Sequence, residues 1–193
     1  MRATAVAGVL MLGSILLTGC GDGAETAQSG QRETFAAGNG VETVRLTDPA
    51  GDVQARKNLS DQPRPPEARL DLRNVEIRRD RDSLRVRFTT AAPPGPGTIQ
   101  RLIVYDDQLR SRSYIQAEHS ASGRVRGTAR PADGVGRRVK AGLSGRVVTA
   151  EAPLDELTRA PRFKWRARTL SGSPVEIDDR APSTIGQYRI FPR

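Results

Sequence analysis

Two stretches of this chain alternate basic and apolar residues at a period of two, and that alternation limits the class of structure it can form. Leu84, Val86 and Phe88 are separated by Arg85 and Arg87, while Phe163, Trp165 and Ala167 are interleaved with Arg162, Lys164, Arg166 and Arg168. Successive side chains of a strand point to opposite faces, so each stretch buries one face and shows the other, basic one to solvent. Further short segments of strand character, bounded by Gly, Pro, Asp and Ser, fall at Val41–Leu46, Tyr114–His119, Arg124–Ala129, Arg137–Ala141, Arg146–Ala150 and Gln187–Phe191. Ile99–Tyr105 is more continuously apolar and is expected as a central strand. Between Leu70-Leu72 and Val75-Ile77 the inward parity switches, which predicts a β-bulge near Arg73-Asn74. Pro93-Pro94-Gly95-Pro96-Gly97 must be a loop. Pro153–Arg159 is expected as one short helical turn, with Pro153 at its start and Pro161 beyond its end. About ten strands at this spacing predict an all-β fold, an antiparallel β-sandwich or jelly-roll-like single domain.

The start of the chain obeys a different rule. One charge, Arg2, precedes an apolar run from Ala3 to Leu17, and Leu17-Thr18-Gly19-Cys20 follows. A run of about 15 residues is shorter than the roughly 20 that span hydrocarbon, as suits a cleaved signal peptide. Leu-Thr-Gly-Cys resembles the lipobox of bacterial lipoproteins, and the resemblance implies cleavage before Cys20 and a diacylglyceryl group on its sulfur. Cys20 is the single cysteine of the chain, so an internal disulfide cannot form. Two acyl chains anchor durably where one binds marginally, which implies a protein held on the extracytoplasmic face of the cell membrane through Cys20.

The expected organisation is therefore a signal peptide at 1–19, the lipidated cysteine with a flexible tether at 20–40, and the β-domain at 41–193. Gly21–Gly40 contains Phe35 as its one large apolar residue and is too polar to bury a core. As a coil of about 20 residues it would reach roughly 25 Å. Cleavage would remove Arg2 and no acid, taking the formal charge from +9 to +8. Arginine dominates that charge, since Lys57, Lys140 and Lys164 are the only lysines.

Asp48-Pro49-Ala50-Gly51-Asp52 near the start of the domain is echoed by Asp178-Asp179-Arg180-Ala181-Pro182 near its end. Both are expected as loops of carboxylate-bearing turns. With the strands between them they resemble secreted bacterial β-sandwich domains similar in outline to carbohydrate-binding modules, some of which hold structural calcium. Asp48 and Asp52, with Asp178 or Asp179 if the termini meet, are the candidate ligands of a weak calcium site. The competing reading pairs Arg180 with Asp52 or Asp48 and leaves only turn chemistry.

The remaining candidates for chemistry are sparse. Asp106 and Asp107 are adjacent on or beside a strand and would point apart, unlike the facing carboxylates of a glycosidase. His119, the one histidine, lies beside Ser120 and Ser122 with no acid marked to orient it, and is expected to be structural. Gly134-Val135-Gly136 lacks the context of a phosphate loop. Trp165 shares the parity of Phe163 and Ala167 and belongs to the core rather than to a stacking platform. The outward basic set, Arg85, Arg87, Arg162, Lys164, Arg166 and Arg168 with Arg124 and Arg126 as additions, forms an anion-binding face if its strands share a sheet, or a merely solvated surface if they do not act together. The expected function is a non-catalytic binding or interaction module of the cell envelope, for a glycan or another polyanion and not for nucleic acid. The alternatives are a glycan-hydrolysing enzyme and a structural accessory of a membrane protein complex.

Overall fold

The computed structural model describes residues 31–51, 53–55, 67–158, 160–171, 177–181 and 188–191, with the backbone alone at 54–55 and 177–180. Thirteen strands form among these residues. In chain order they are β1 (Arg32–Gly38), β2 (Val41–Thr47), β3 (Gln54–Ala55), β4 (Leu72–Arg79), β5 (Ser83–Thr90), β6 (Thr98–Tyr105) and β7 (Arg112–His119). There follow β8 (Val125–Arg130), β9 (Arg137–Ser144), β10 (Val147–Pro153), β11 (Phe163–Ser171), β12 (Ile177–Ala181) and β13 (Arg189–Phe191). The helical turn expected at Pro153–Arg159 is a single 3₁₀ turn at Leu154–Glu156, entered from Pro153.

The strands make one antiparallel sheet in the order β1-β2-β4-β5-β10-β9-β8-β7-β6-β11-β12-β3, with β13 beside β11. The sheet curls because β9 serves two neighbours in turn. Its first residues, Arg137 to Val139, pair with β8, and its last, Lys140 to Ser144, pair with β10. A strand that changes partner along its length turns the corner between two arms. Gly127 makes that corner tight: a Cβ there would lie 2.5 Å from the Val139 carbonyl oxygen and 2.9 Å from the Ala141 Cβ. Beyond the corner the arms face each other, β10 meeting β7, and β4 meeting β11 and β12.

Both arms supply one core. Val44, Leu46, Val75, Ile77, Leu84, Val86, Phe88 and Val148 come from one arm, and Leu102, Ile115, Ala129, Phe163, Trp165 and Phe191 from the other. Each fully buried aliphatic or aromatic side chain contributes about 1.5–3 kcal/mol on transfer from water, so this cluster is the main stabilising term. Trp165 is wholly buried, as its parity predicts. The pairing of β4 with β5 slips by one residue between Leu72 and Asn74, which is the bulge predicted from the parity change.

Two expectations are corrected. The segment read as tether carries strand β1, paired along its length with β2. Its hairpin turn has φ of 52° at Asn39 and 73° at Gly40, the left-handed pair of a type I′ turn that Asn-Gly favours. The second correction concerns Asp178 to Ala181, which form no loop. They lie in β12, a strand between β11 and β3.

Candidate functional site

The outward basic residues separate into two groups with different surroundings. Arg85 and Arg87 stand on β5, and five strands of the sheet order lie between β5 and β11, which carries Lys164, Arg166 and Arg168. They share a continuous sheet but belong to different arms, so the single basic face expected from the sequence is not formed.

On the β5 arm three arginines are paired with acids, while Arg78 lies opposite Arg85, and Arg78, Arg85 and Arg87 line a groove of about 390 Å³ of their own. Arg85 binds Glu151 at 2.6 Å, and Arg45 donates to Glu76 through Nε at 3.0 Å. Glu76 also lies directly opposite Arg87. Arg79 donates to Glu42 at 2.7 Å. Opposite charges across neighbouring strands stabilise a sheet by roughly 0.2–1 kcal/mol a pair.

The other arm is different. Outward positions of β6, β7, β8 and β11 bring Arg101, Arg112, Arg130, Arg166 and Arg168 around a groove of about 440 Å³. The register explains why they meet. Arg101 faces Arg168 on one side and Gln116 on the other, Arg130 faces Tyr114, and Ile103 lies between Tyr114 and Arg166. Like charges opposite one another oppose folding at Arg101 and Arg168, as they do at Arg78 and Arg85 of the other arm. Arg101 and Arg168 both have other partners. Among the described residues, Arg112, Arg130 and Arg166 are paired with no carboxylate. Arg130 donates instead to the Gly134 carbonyl at 3.2 Å. The Arg166 Nε is buried without a hydrogen-bond partner among the described residues.

All three tyrosines of the chain contact this arginine set. The Arg101 guanidinium lies 4.7 Å from the Tyr114 ring centroid, and that of Arg166 lies 5.7 Å from Tyr188. Arg166 also donates to the Tyr105 hydroxyl at 3.5 Å. Tyr105 and Tyr188 meet edge to face at 4.8 Å. Burial raises the Tyr105 hydroxyl above its usual range, against the opposing pull of Arg166, Arg112 and Arg168. The groove can therefore offer guanidinium donors to an anion and ring faces to a sugar or methylene surface.

The other basic residues singled out from the sequence lie around this face. Lys164 donates to the Asp107 carbonyl at 2.7 Å. Arg162 sits in the bend before β11, and Arg124 and Arg126 are exposed at and before the start of β8, Arg126 opposite Glu118. Arg101, Arg112 and Arg130 were missed by sequence reasoning, because each lies in a strand whose alternation is less regular than that of β5 or β11.

The acidic segments do come together, though not as two loops. The chain runs from the Asp48 turn into β3, where Gln54 pairs with Asp178 of β12. Asp48 is buried and accepts from the Gln31 amide, while its own N–H donates to the Arg73 carbonyl at 3.0 Å. The Gly51 N–H donates to Asp71 at 3.1 Å, and Asp71 pairs with Arg73 at 2.9 Å. Asp52 lies outside the described residues, as do the side chains of Asp178, Asp179 and Arg180. Among the described residues no three candidate ligands are arranged to hold a metal ion.

Asp106 closes its turn by accepting from Arg110 N–H at 2.8 Å and Ser111 N–H at 3.1 Å. His119 is buried, with Nε2 2.9 Å from Gln100 Oε1, while Ser120 bonds Ser122 and Arg124 instead. Cys20 and its leader lie outside the described residues. No protein family's sequence profile matches the chain, and no curated protein or solved structure is significantly similar to it.

Proposed function

We propose that this chain is a lipid-anchored, extracytoplasmic binding module of the bacterial cell envelope, that its curled sheet is a β-sandwich, and that the groove of Arg112, Arg130 and Arg166 binds an anionic envelope glycan or polymer. The observation that carries the reading is the contrast between the two arms. Arg79, Arg45 and Arg85 on the β5 arm are answered by Glu42, Glu76 and Glu151, whereas Arg112, Arg130 and Arg166 pair with no carboxylate among the described residues and stand in an arginine set that touches every tyrosine of the chain. Guanidinium forks suit phosphate and carboxylate groups, and a cluster of them draws polyanions by long-range attraction. The anchor rests on the sequence around Cys20, and with β1 beginning at Arg32 the connecting segment is shorter than the 20 residues expected from composition.

The test uses detergent-solubilised full-length protein and isolated cell wall of the producing bacterium. Binding should weaken as salt rises past about 0.1 M, where screening acts within about 10 Å. Arg112→Gln, Arg130→Gln and Arg166→Gln combined should reduce binding and its salt dependence, and Arg85→Gln with Arg87→Gln should leave both unchanged. Equal loss in the two variants would mean that net charge alone drives binding and would remove the groove.

A further inference from the structure

A second concavity, of about 290 Å³, opens at the end of the sheet where β6 and β7 meet their connecting turn, and it is acidic where the groove is basic. The two adjoin, because Pro131 and Ala132 line both. Four carboxylates border the cleft, and they are not equivalent. Asp106 is consumed by its turn. Glu156 holds Arg137 at 3.3 Å through Oε1, while its Oε2 is buried without a hydrogen-bond partner among the described residues. Asp133 and Asp155 are exposed at the rim. The independent observation is Ser113. It is only 6% exposed, its hydroxyl makes no hydrogen bond among the described residues, and it lines this cleft.

Resting on the anion-binding reading of the groove, we infer that its ligand is zwitterionic: an anionic group on Arg112, Arg130 and Arg166, and a neighbouring primary ammonium in the cleft of Ser113, Asp133, Asp155 and Glu156. An ammonium offers three donors in a tetrahedral spread and suits acceptors dispersed around a cavity. A metal ion needs them converging on one point, and these carboxylates do not converge. The Glu156 Oε2 supplies a buried acceptor, the Ser113 hydroxyl supplies one on the cleft wall, and the rim aspartates supply charge.

The test is binding of the full-length protein, in detergent, to isolated cell wall before and after N-acetylation, which caps primary amines and spares phosphates and carboxylates. Bulk electrostatics and the cleft predict opposite signs. A protein of formal charge +8 once its leader is removed is drawn more strongly to a wall stripped of positive charge. An ammonium seated in the cleft is lost instead, and binding should fall about fivefold, the size of one partly exposed ion pair. The Asp133→Asn and Asp155→Asn double variant should bind native wall about fivefold more weakly and should bind acetylated wall at least as well as native wall. Ser113→Ala should shift binding in the same direction. If acetylation leaves wild-type binding unchanged or strengthens it while the triple arginine variant still binds poorly, the zwitterion is wrong and the groove stands. If the triple variant binds like wild type, or wild type does not bind wall, both fall.

Discussion

Replacing Trp165 with alanine tests the strand register on which every surface assignment rests. Its indole is wholly buried on β11, between Val104 of β6 and Arg189 of β13. A buried tryptophan removes roughly 200 Å² from water, about 5 kcal/mol at about 25 cal/mol per Å². Alanine retains part of that, and measured aromatic truncations cost about 3–5 kcal/mol with the cavity included. One correction lowers the figure. The indole N–H finds no acceptor among the described residues, so truncation also removes a buried unsatisfied donor and relieves about 1 kcal/mol. The expected loss is about 3 kcal/mol, a large share of the roughly 5–15 kcal/mol that holds a typical domain. Trp165→Phe keeps most of the volume and drops the unsatisfied donor, so it should cost less than half as much. Trp165 is the chain's one tryptophan, so unfolding in urea must be followed by circular dichroism rather than fluorescence. Arg87→Gln, at an exposed outward position of β5, should stay within about 0.5 kcal/mol of wild type. A Trp165→Ala loss below about 1 kcal/mol, or one no greater than that of Arg87→Gln, would refute the inward assignment of the odd positions of β11 and with it the outward assignment of Arg166.

Three other outcomes follow from particular contacts. Burial holds the His119 imidazole below its ordinary 6.5, so the unfolded chain takes up the proton first: the stability contributed by the neutral ring is present above 6.5 and is lost as pH falls from there towards the folded value. Melting temperature should therefore drop between about pH 7.5 and about pH 5, and His119→Gln should flatten the drop. Gly127→Ala should cost about 1–3 kcal/mol by forcing β8 from β9 at the corner, read as a lowered urea midpoint; an unchanged midpoint would mean the corner has room to spare. Cys20→Ser should release the protein from membranes with its domain intact, and mass spectrometry that finds unmodified Cys20 in the mature wild type would remove the anchor.

Strand identity was legible wherever one face meets the core and the other meets water. The inward faces of β5 and β11 were readable from parity alone, because Leu84, Val86 and Phe88, and Phe163, Trp165 and Ala167, are buried without exception. The parity change at Arg73 was readable for the same reason, since a bulge moves the apolar set from even to odd positions. β1 carried no such signal. Six of its seven residues are exposed, so nothing in its side chains reports the pairing, and only the Asn39-Gly40 turn marked it. β12 was hidden by its carboxylates, which read as turn chemistry although its backbone completes a ladder between β11 and β3.

The site was legible by face and illegible by neighbour. Alternation assigns Arg87 and Arg166 equally well to solvent, because parity is a property of one strand. Whether an arginine meets Glu76 or Arg101 depends on which strands adjoin, and for β5, β6, β10 and β11 that is decided by where the chain passes between the arms. Residues 91–97 carry the chain from β5 to β6, and the 3₁₀ turn with the residues after it carries the chain from β10 to β11. β6 through β10 run as a meander, so β10 returns beside β5 and β11 is placed beside β6. The outer face of β11 thereby meets Arg101, Ile103 and Tyr105 rather than the acids of β4 and β10. The same topology places the 3₁₀ turn, with Asp155 and Glu156, at the cleft that adjoins the groove through Pro131 and Ala132. A composition rich in arginine is compatible with either arrangement; the sheet order gives Arg45, Arg79 and Arg85 glutamate partners and makes the set around Arg166 a candidate receptor.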